Sequence, residues 1–135
     1  MAYDGHKTDK RRILLAEDNL ISQLALKRFL QTKGFEVTGV ENGEEALRRL
    51  RESAYDLVLM DLQMPVLDGV SAARFIRAGQ DEPFDESMPI IALTAFSSSE
   101  DRKLTAQSGM NQHIAKPVDF DDLLRVLEDC LGAPA

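Results

Sequence analysis

Short apolar runs rich in valine, isoleucine and leucine recur along the chain at Ile13–Ala16, Phe35–Val40, Leu57–Met60, Pro89–Leu93 and, with weaker patterning, Gln112–Ala115. They predict five strands. Between them the apolar positions change to helical spacing: Ala25, Leu26, Phe29 and Leu30 share one face, as do Ala46, Leu47 and Leu50, and then Ala72, Ala73 and Ile76. The last segment is the most regular, with Phe120, Leu123, Leu124, Leu127 and Leu131 forming a stripe that predicts a helix packed by one side only. Asn42 followed by Glu45, and Asp119 followed by Asp122, read as helix starts. Gly34 and Gly109 fall where helices should stop. One helix breaks the pattern. Between Ser97 and Ser108 only Leu104 and Ala106 are apolar candidates for a core face, and Glu100 to Lys103 crowd its start.

Strand and helix alternate five times, which implies a parallel sheet with right-handed crossovers and helices on both faces. The fold class is therefore α/β and doubly wound, and the length best fits a five-stranded flavodoxin-like sheet of order 2-1-3-4-5. With 135 residues, 44% of them hydrophobic, the chain suits one domain with one core. That domain is expected over 12–132, after a polar extension at 1–11 and before a short tail at 133–135. The acidic stretch from Gly79 to Ser87 reads as a loop.

Charge narrows the functional classes. Sixteen basic against 23 acidic residues give a net charge of −7, which disfavours a direct grip on nucleic acid phosphates. Cys130 is the only cysteine, so neither an internal disulfide nor a cysteine zinc cluster forms within the chain. No run of about 18 apolar residues occurs, so a cytoplasmic domain without membrane contact is expected.

In doubly wound sheets ligands bind beyond the carboxyl ends of the strands, near the reversal of strand order. The expected ends carry Glu17 and Asp18, Asp61, Thr94 and Lys116. Taken singly, Glu17 and Asp18 would serve as a turn or cap, Thr94 as a strand residue and Lys116 as a surface charge. Taken together they form a site. Three clustered carboxylates repel unless a proton or cation intervenes, and magnesium binds through one or two carboxylates while leaving positions for phosphate oxygens. An aspartate can attack phosphorus to give an acyl phosphate, a transfer that needs chiefly positioning and charge neutralisation. Magnesium on Asp18 and Asp61, the Lys116 ammonium and the Thr94 hydroxyl would each serve one phosphoryl oxygen. No catalytic triad or glycine-rich phosphate loop competes.

The residues at these ends also resemble a known family. Leu-Leu-Ala-Glu-Asp-Asn at 14–19, Leu-Met-Asp-Leu-Gln-Met-Pro-Val-Leu-Asp-Gly at 59–69, Ile-Ala-Leu-Thr-Ala at 91–95 and Ala-Lys-Pro at 115–117 are similar to the four motifs of receiver domains in response regulators and hybrid sensor histidine kinases. The similarity runs from about Arg12 to Leu131, and its wording is closest to hybrid-kinase receivers. The resemblance implies that Asp61 accepts phosphate from a phosphohistidine, that Asp18, Asp61 and the Gln63 carbonyl bind Mg2+ with Glu17 acting through water, and that Thr94 and Lys116 sense and neutralise the phosphoryl group. It further implies slow loss of that phosphate to water, so that the module has limited enzymatic chemistry and a conformational output. A cis Lys116–Pro117 bond, a sensor histidine kinase or histidine phosphotransfer protein docking beside the first helix near Ile21 and Leu24, and homodimerisation on phosphorylation are implied as well. The chain would be either a stand-alone regulator or one module of a hybrid kinase.

One position departs from that pattern. Three residues before the lysine the family usually carries Tyr or Phe, and here stands His113, a residue type that ordinarily titrates between pH 5 and 8. His113 is read either as the switch residue coupled to Thr94 or as a plain exposed strand-end histidine. Gln63 and Phe96, two residues beyond Asp61 and Thr94, occupy positions where the family tunes dephosphorylation. The competing class is a small Mg2+-dependent phosphohydrolase with Asp61 as nucleophile. Such enzymes usually place a second Asp two residues later as general acid, and that position is Gln63.

Overall fold

The computed structural model describes residues 10–78, 87–95 and 98–132. Within them the elements run β1 (Arg12–Ala16), α1 (Leu20–Thr32), β2 (Glu36–Val40), α2 (Gly43–Glu52), β3 (Leu57–Asp61), α3 (Gly69–Ala78), β4 (Ile90–Thr94), α4 (Ser99–Gln107), β5 (Gln112–Ala115) and α5 (Phe120–Leu131). All four strand pairings are parallel, and the order is β2-β1-β3-β4-β5, as the alternation predicts. Order reverses between β1 and β3, which brings the carboxyl ends of these two strands side by side.

The period of two along each strand divides the core into two layers. Leu14, Ala16, Val58, Met60, Ile90 and Ala92 face α2 and α3, where they meet Ala46, Leu47, Leu50, Ala72, Ala73 and Ile76. Ile13, Leu15, Leu57, Leu59, Ile91 and Leu93 face Leu26 and Leu30 of α1 and Leu123 and Leu127 of α5. Each such leucine or isoleucine contributes roughly 1.5–3 kcal/mol by leaving water. Every residue of β3 and β4 is buried. Along β5 only Ile114 is, and this edge position explains the weak patterning of Gln112–Ala115.

The helix starts lie where the sequence places them. Asn42 accepts from the Glu45 N–H at 2.8 Å, and Asp119 accepts from the N–H groups of Asp121 and Asp122 at 2.9 and 3.2 Å. Gly34 and Gly109 adopt φ of 93° and 91°, the left-handed region that stops a helix. Two details differ from expectation. Ala25 is exposed, because the α1 stripe narrows to Leu26 and Leu30 with Phe29 stacked on Phe120 at 4.2 Å between ring centroids. In α4 both Leu104 and Ala106 are exposed, and Thr105 and Ser108 point inward instead. Their hydroxyls are satisfied by α4's own carbonyls, at Asp101 and Thr105, both at 2.9 Å. The loop expected from Gly79 lies outside the described residues up to 86, as does Phe96. No helix among the described residues is long and apolar enough to cross a membrane.

Candidate functional site

The acidic loop continues the sheet by one residue. Glu17 N–H donates to the Val40 carbonyl at 3.0 Å, so Glu17 is held in line with β1 and its side chain is completely buried, whereas Asp18 and Asn19 turn out into solvent. Asn19 caps α1 through its side chain, accepting from Ser22 N–H, and donates its own N–H to Glu17 Oε2 at 3.1 Å. An asparagine before an apolar helical run is a legible cap. Its second bond, back to the acidic pair, is not legible.

Asp61 ends β3 and is 5% exposed. Its Oδ1 accepts from the Gln63 N–H at 3.0 Å and its Oδ2 from Lys116 Nζ at 2.7 Å. Lys116 reaches inward from the end of β5, its own N–H bonded to the Thr94 carbonyl at 2.7 Å, and the Lys116–Pro117 peptide is cis. The same ammonium lies 2.8 Å from Glu17 Oε1. Carboxylate oxygens of Glu17, Asp18 and Asp61 lie within 4.8 Å of one another. Thr94, at the end of β4, is buried beside them and lines with Asp18 and Gln63 an open cleft of about 890 Å³ whose outer wall includes Arg74, Asp101 and Leu104. The structure therefore gathers Glu17, Asp18, Asp61, Gln63, Thr94 and Lys116 at one place. His113 stands apart: it is half-buried on β5 and in register with Ala92, two residues short of Thr94.

The loop after Asp61 is shaped for close approach. A Cβ on Gly69 would fall 2.3 Å from the Asp61 carbonyl oxygen, so only glycine lets α3 begin against the end of β3. Between them Leu67 N–H donates to the Pro65 carbonyl at 2.7 Å across Val66, whose φ of 68° is unusual for a β-branched residue. Strain of this kind concentrates at functional loops. It has no sequence signal, since valine is among the residues least suited to it.

Three carboxylates against one ammonium leave the cluster two charges negative if all are ionised. Burial raises the Glu17 carboxyl above its ordinary value, and the shared hydrogen bond and charge of Asp61 add to that, against the lowering effect of Lys116 and the Asn19 amide. For Lys116 burial acts to lower the value, but the hydrogen bonds and charges of Asp61 and Glu17 outweigh it and the net shift is upward. Although Glu17 Oε1 is close to the ammonium, it is the one buried side-chain polar atom among the described residues without a well-formed hydrogen bond. An oxygen-only cluster of three carboxylates that share a single ammonium and keep residual negative charge fits a hard divalent cation.

Comparison with known proteins agrees with the geometry. The sequence profile that matches is the response regulator receiver domain, over residues 13–128. The sensor protein GacS of Pseudomonas syringae pv. syringae is 39% identical over 116 residues, covering 86% of this chain, and the match spans 13% of that relative's length. The receiver domain of the sensor histidine kinase PA1611 from Pseudomonas aeruginosa PAO1, solved with a magnesium ion coordinated in its active-site cleft, superposes with a TM-score of 0.82 at 42% identity, over 92% of this chain and 99% of that one. The Saccharomyces cerevisiae receiver domain of Ssk1, crystallised with the histidine phosphotransfer protein Ypd1, gives a TM-score of 0.80 at 32% identity, over 90% of this chain and 88% of that one.

Proposed function

The chain belongs to the response regulator receiver family, and from that premise we propose that Asp61 takes a phosphoryl group from a phosphohistidine on a partner protein. The observation that carries this reading is the convergence of Asp61 with Glu17, Asp18 and Lys116, two further carboxylates and one cation around the carboxylate that ends β3. An Asp61 carboxylate oxygen forms the new P–O bond as the P–N bond to the donor imidazole breaks, and the bonding pair stays with the imidazole nitrogen. Asp18, Asp61 and the Gln63 carbonyl would hold Mg2+, with Glu17 acting through water. The ion supplies charge neutralisation for a phosphoryl oxygen. Lys116, now paired with Asp61 Oδ2, moves its ammonium to a second phosphoryl oxygen, and the Thr94 hydroxyl donates to a third. Water later removes the phosphate slowly from the same cage.

The output is conformational. About two negative charges arrive at Asp61, and Thr94, drawn to them, carries the change through β4 to His113 and the outer face of β5. The donor is a sensor histidine kinase or a histidine phosphotransfer protein. It docks on the first turns of α1, where Leu20, Ile21 and Leu24 are 62%, 82% and 47% exposed beside the site.

Incubation with acetyl phosphate and MgCl2, followed by intact mass, tests the reading. One phosphate is expected to add, to be lost over time, and to be absent from Asp61→Asn. Turnover of many phosphate esters without an accumulating adduct would indicate a hydrolase instead. For the switch, His113→Tyr is expected to alter phosphorylation-dependent partner binding, and unchanged binding removes His113 from the route.

A further inference from the structure

The carboxyl ends of β1 and β2 are joined by a side chain that phosphoryl transfer itself does not use. Gln23, in the first turns of α1, donates through Nε2 to the Glu17 carbonyl at 3.0 Å and to the Val40 carbonyl at 2.8 Å. The Val40 carbonyl also accepts the Glu17 N–H, so Glu17 is gripped at both its amide and its carbonyl. That carbonyl shares a rigid plane with the Asp18 N–H. Fixing it sets the direction in which the chain leaves the sheet and presents Asp18.

The carboxamide fits because of a residue on the neighbouring strand. A Cβ on Gly39 would lie 2.6 Å from Gln23 Oε1 and 2.7 Å from its Cδ. Gly39, in β2, pairs with Leu15 of β1 and has no left-handed φ, so the need for glycine is space and not backbone freedom. Without this brace, three like charges would push the exposed Asp18–Asn19 turn away from Asp61, and the turn would have to be gathered again for each ion.

Resting on the phosphoacceptor reading above, we propose that Gln23 is a positioning residue for the divalent-cation site, seated in a pocket that Gly39 leaves open and holding the Glu17–Asp18 peptide toward Asp61 before the ion binds. Outer-shell partners of this kind alter metal affinity by about tenfold or more.

The test is an amide-shift titration of the full chain with MgCl2, read at Asp18, Asn19 and Gln63, for wild type, Gln23→Met, Gly39→Ala and the double variant. Asp56→Ala, at the opposite end of the sheet, is the stability control. Gln23→Met and Gly39→Ala are each expected to weaken magnesium binding about tenfold, and the double variant no further than either, because both undo the same pair of carboxamide hydrogen bonds. Asp56→Ala is expected to lower the melting temperature with an unchanged Kd. Wild-type affinity in Gln23→Met, multiplied losses in the double variant, or an equal loss in Asp56→Ala each overturns the role. Should Gln23→Met not fold, Gly39→Ala asks the same question, since it displaces the carboxamide without deleting it. A wild-type chain that takes up no magnesium fails at the earlier step and sinks the phosphoacceptor reading with it.

Discussion

Both ends of the sheet gather charged side chains, and they treat them in opposite ways. At the amino end Arg12 is over-supplied with partners. Its Nη1 donates to the Ala54 carbonyl at 2.6 Å, its guanidinium lies 4.6 Å from the centre of the Tyr55 ring, and its Nε is 3.6 Å from Glu36. Asp56 alongside accepts the Arg12 N–H at 2.7 Å. At the carboxyl end the balance is reversed, with Glu17, Asp18 and Asp61 sharing the Lys116 ammonium and one buried carboxylate oxygen left without a well-formed bond. The strands are four or five residues long, so roughly 15 Å separates the two ends. One end is arranged for stability, and the other keeps an electrostatic deficit that a cation and a phosphoryl group can fill.

The sharpest break in that comparison is expected at Asp61. Asp61→Asn keeps the shape and one of the two accepted hydrogen bonds and removes the nucleophile, so phosphorylation by acetyl phosphate should fall to zero by intact mass. Adduct at another carboxylate would mean that the deficit, not Asp61, is what the chemistry needs. Next in size is Lys116→Met. It leaves Glu17 and Asp61, 0% and 5% exposed, with no cation between them. Urea unfolding without metal should show a loss of about 2–3 kcal/mol, partly restored by MgCl2. A loss under about 0.5 kcal/mol, as for an exposed pair, would show that Lys116 does not hold the cluster together.

The contrast also explains what could be read from the sequence. The order of elements was legible because it rests on local periods, two along strands and near four along helices, and the strand ends then located Glu17, Asp18, Asp61, Thr94 and Lys116 without any knowledge of contacts. What stayed hidden crosses the chain. Gln23 and Gly39 are matched by steric fit between a helix and a strand, and the Arg77 guanidinium braces α3 through the Gly109 carbonyl and Asn111 at 2.7 and 2.8 Å. The inner face of α4 was hidden for another reason. Thr105 and Ser108 are polar, and they can turn inward only because their hydroxyls bond to carbonyls of their own helix, which hydrophobic patterning does not register.

Glu17→Gln sharpens the comparison with a smaller effect of opposite sign. The folded Glu17 carboxyl lies above its ordinary 4.5. At acid pH both folded and unfolded chains are protonated and the group contributes nothing. As pH rises past 4.5 the unfolded chain ionises first, so the metal-free domain loses stability until pH passes Glu17's raised folded value. Lys116 works in another window: its raised value means that its contribution is complete below 10.5 and is lost as pH climbs through the folded value. Glu17→Gln should therefore stabilise the metal-free domain at neutral pH and flatten the slope above pH 4.5 in thermal unfolding. Saturating MgCl2 should reverse the ranking, because wild type gains the ion and the variant gains less. A variant less stable than wild type without metal would show that the Lys116 pairing outweighs burial and repulsion.

The smallest effect belongs to the satisfied end. Arg12→Ala removes one ion pair, one bond to a carbonyl and one ring contact, all at a half-exposed position, so the expected loss is about 1 kcal/mol by urea unfolding. Its weight in the comparison lies in what should stay fixed. Between Arg12 and Asp61 stand Ile13, Leu14 and Leu15 paired against Leu57, Val58 and Leu59, all completely buried, and the Arg12 side-chain partners Glu36, Ala54 and Tyr55 are not those of the carboxyl-end cluster. The rate of phosphorylation by acetyl phosphate and the magnesium Kd should both match wild type. If either moves by more than about threefold while the fold is intact, the two ends are coupled through β1, and the division between a stabilising end and a reactive end has to be given up.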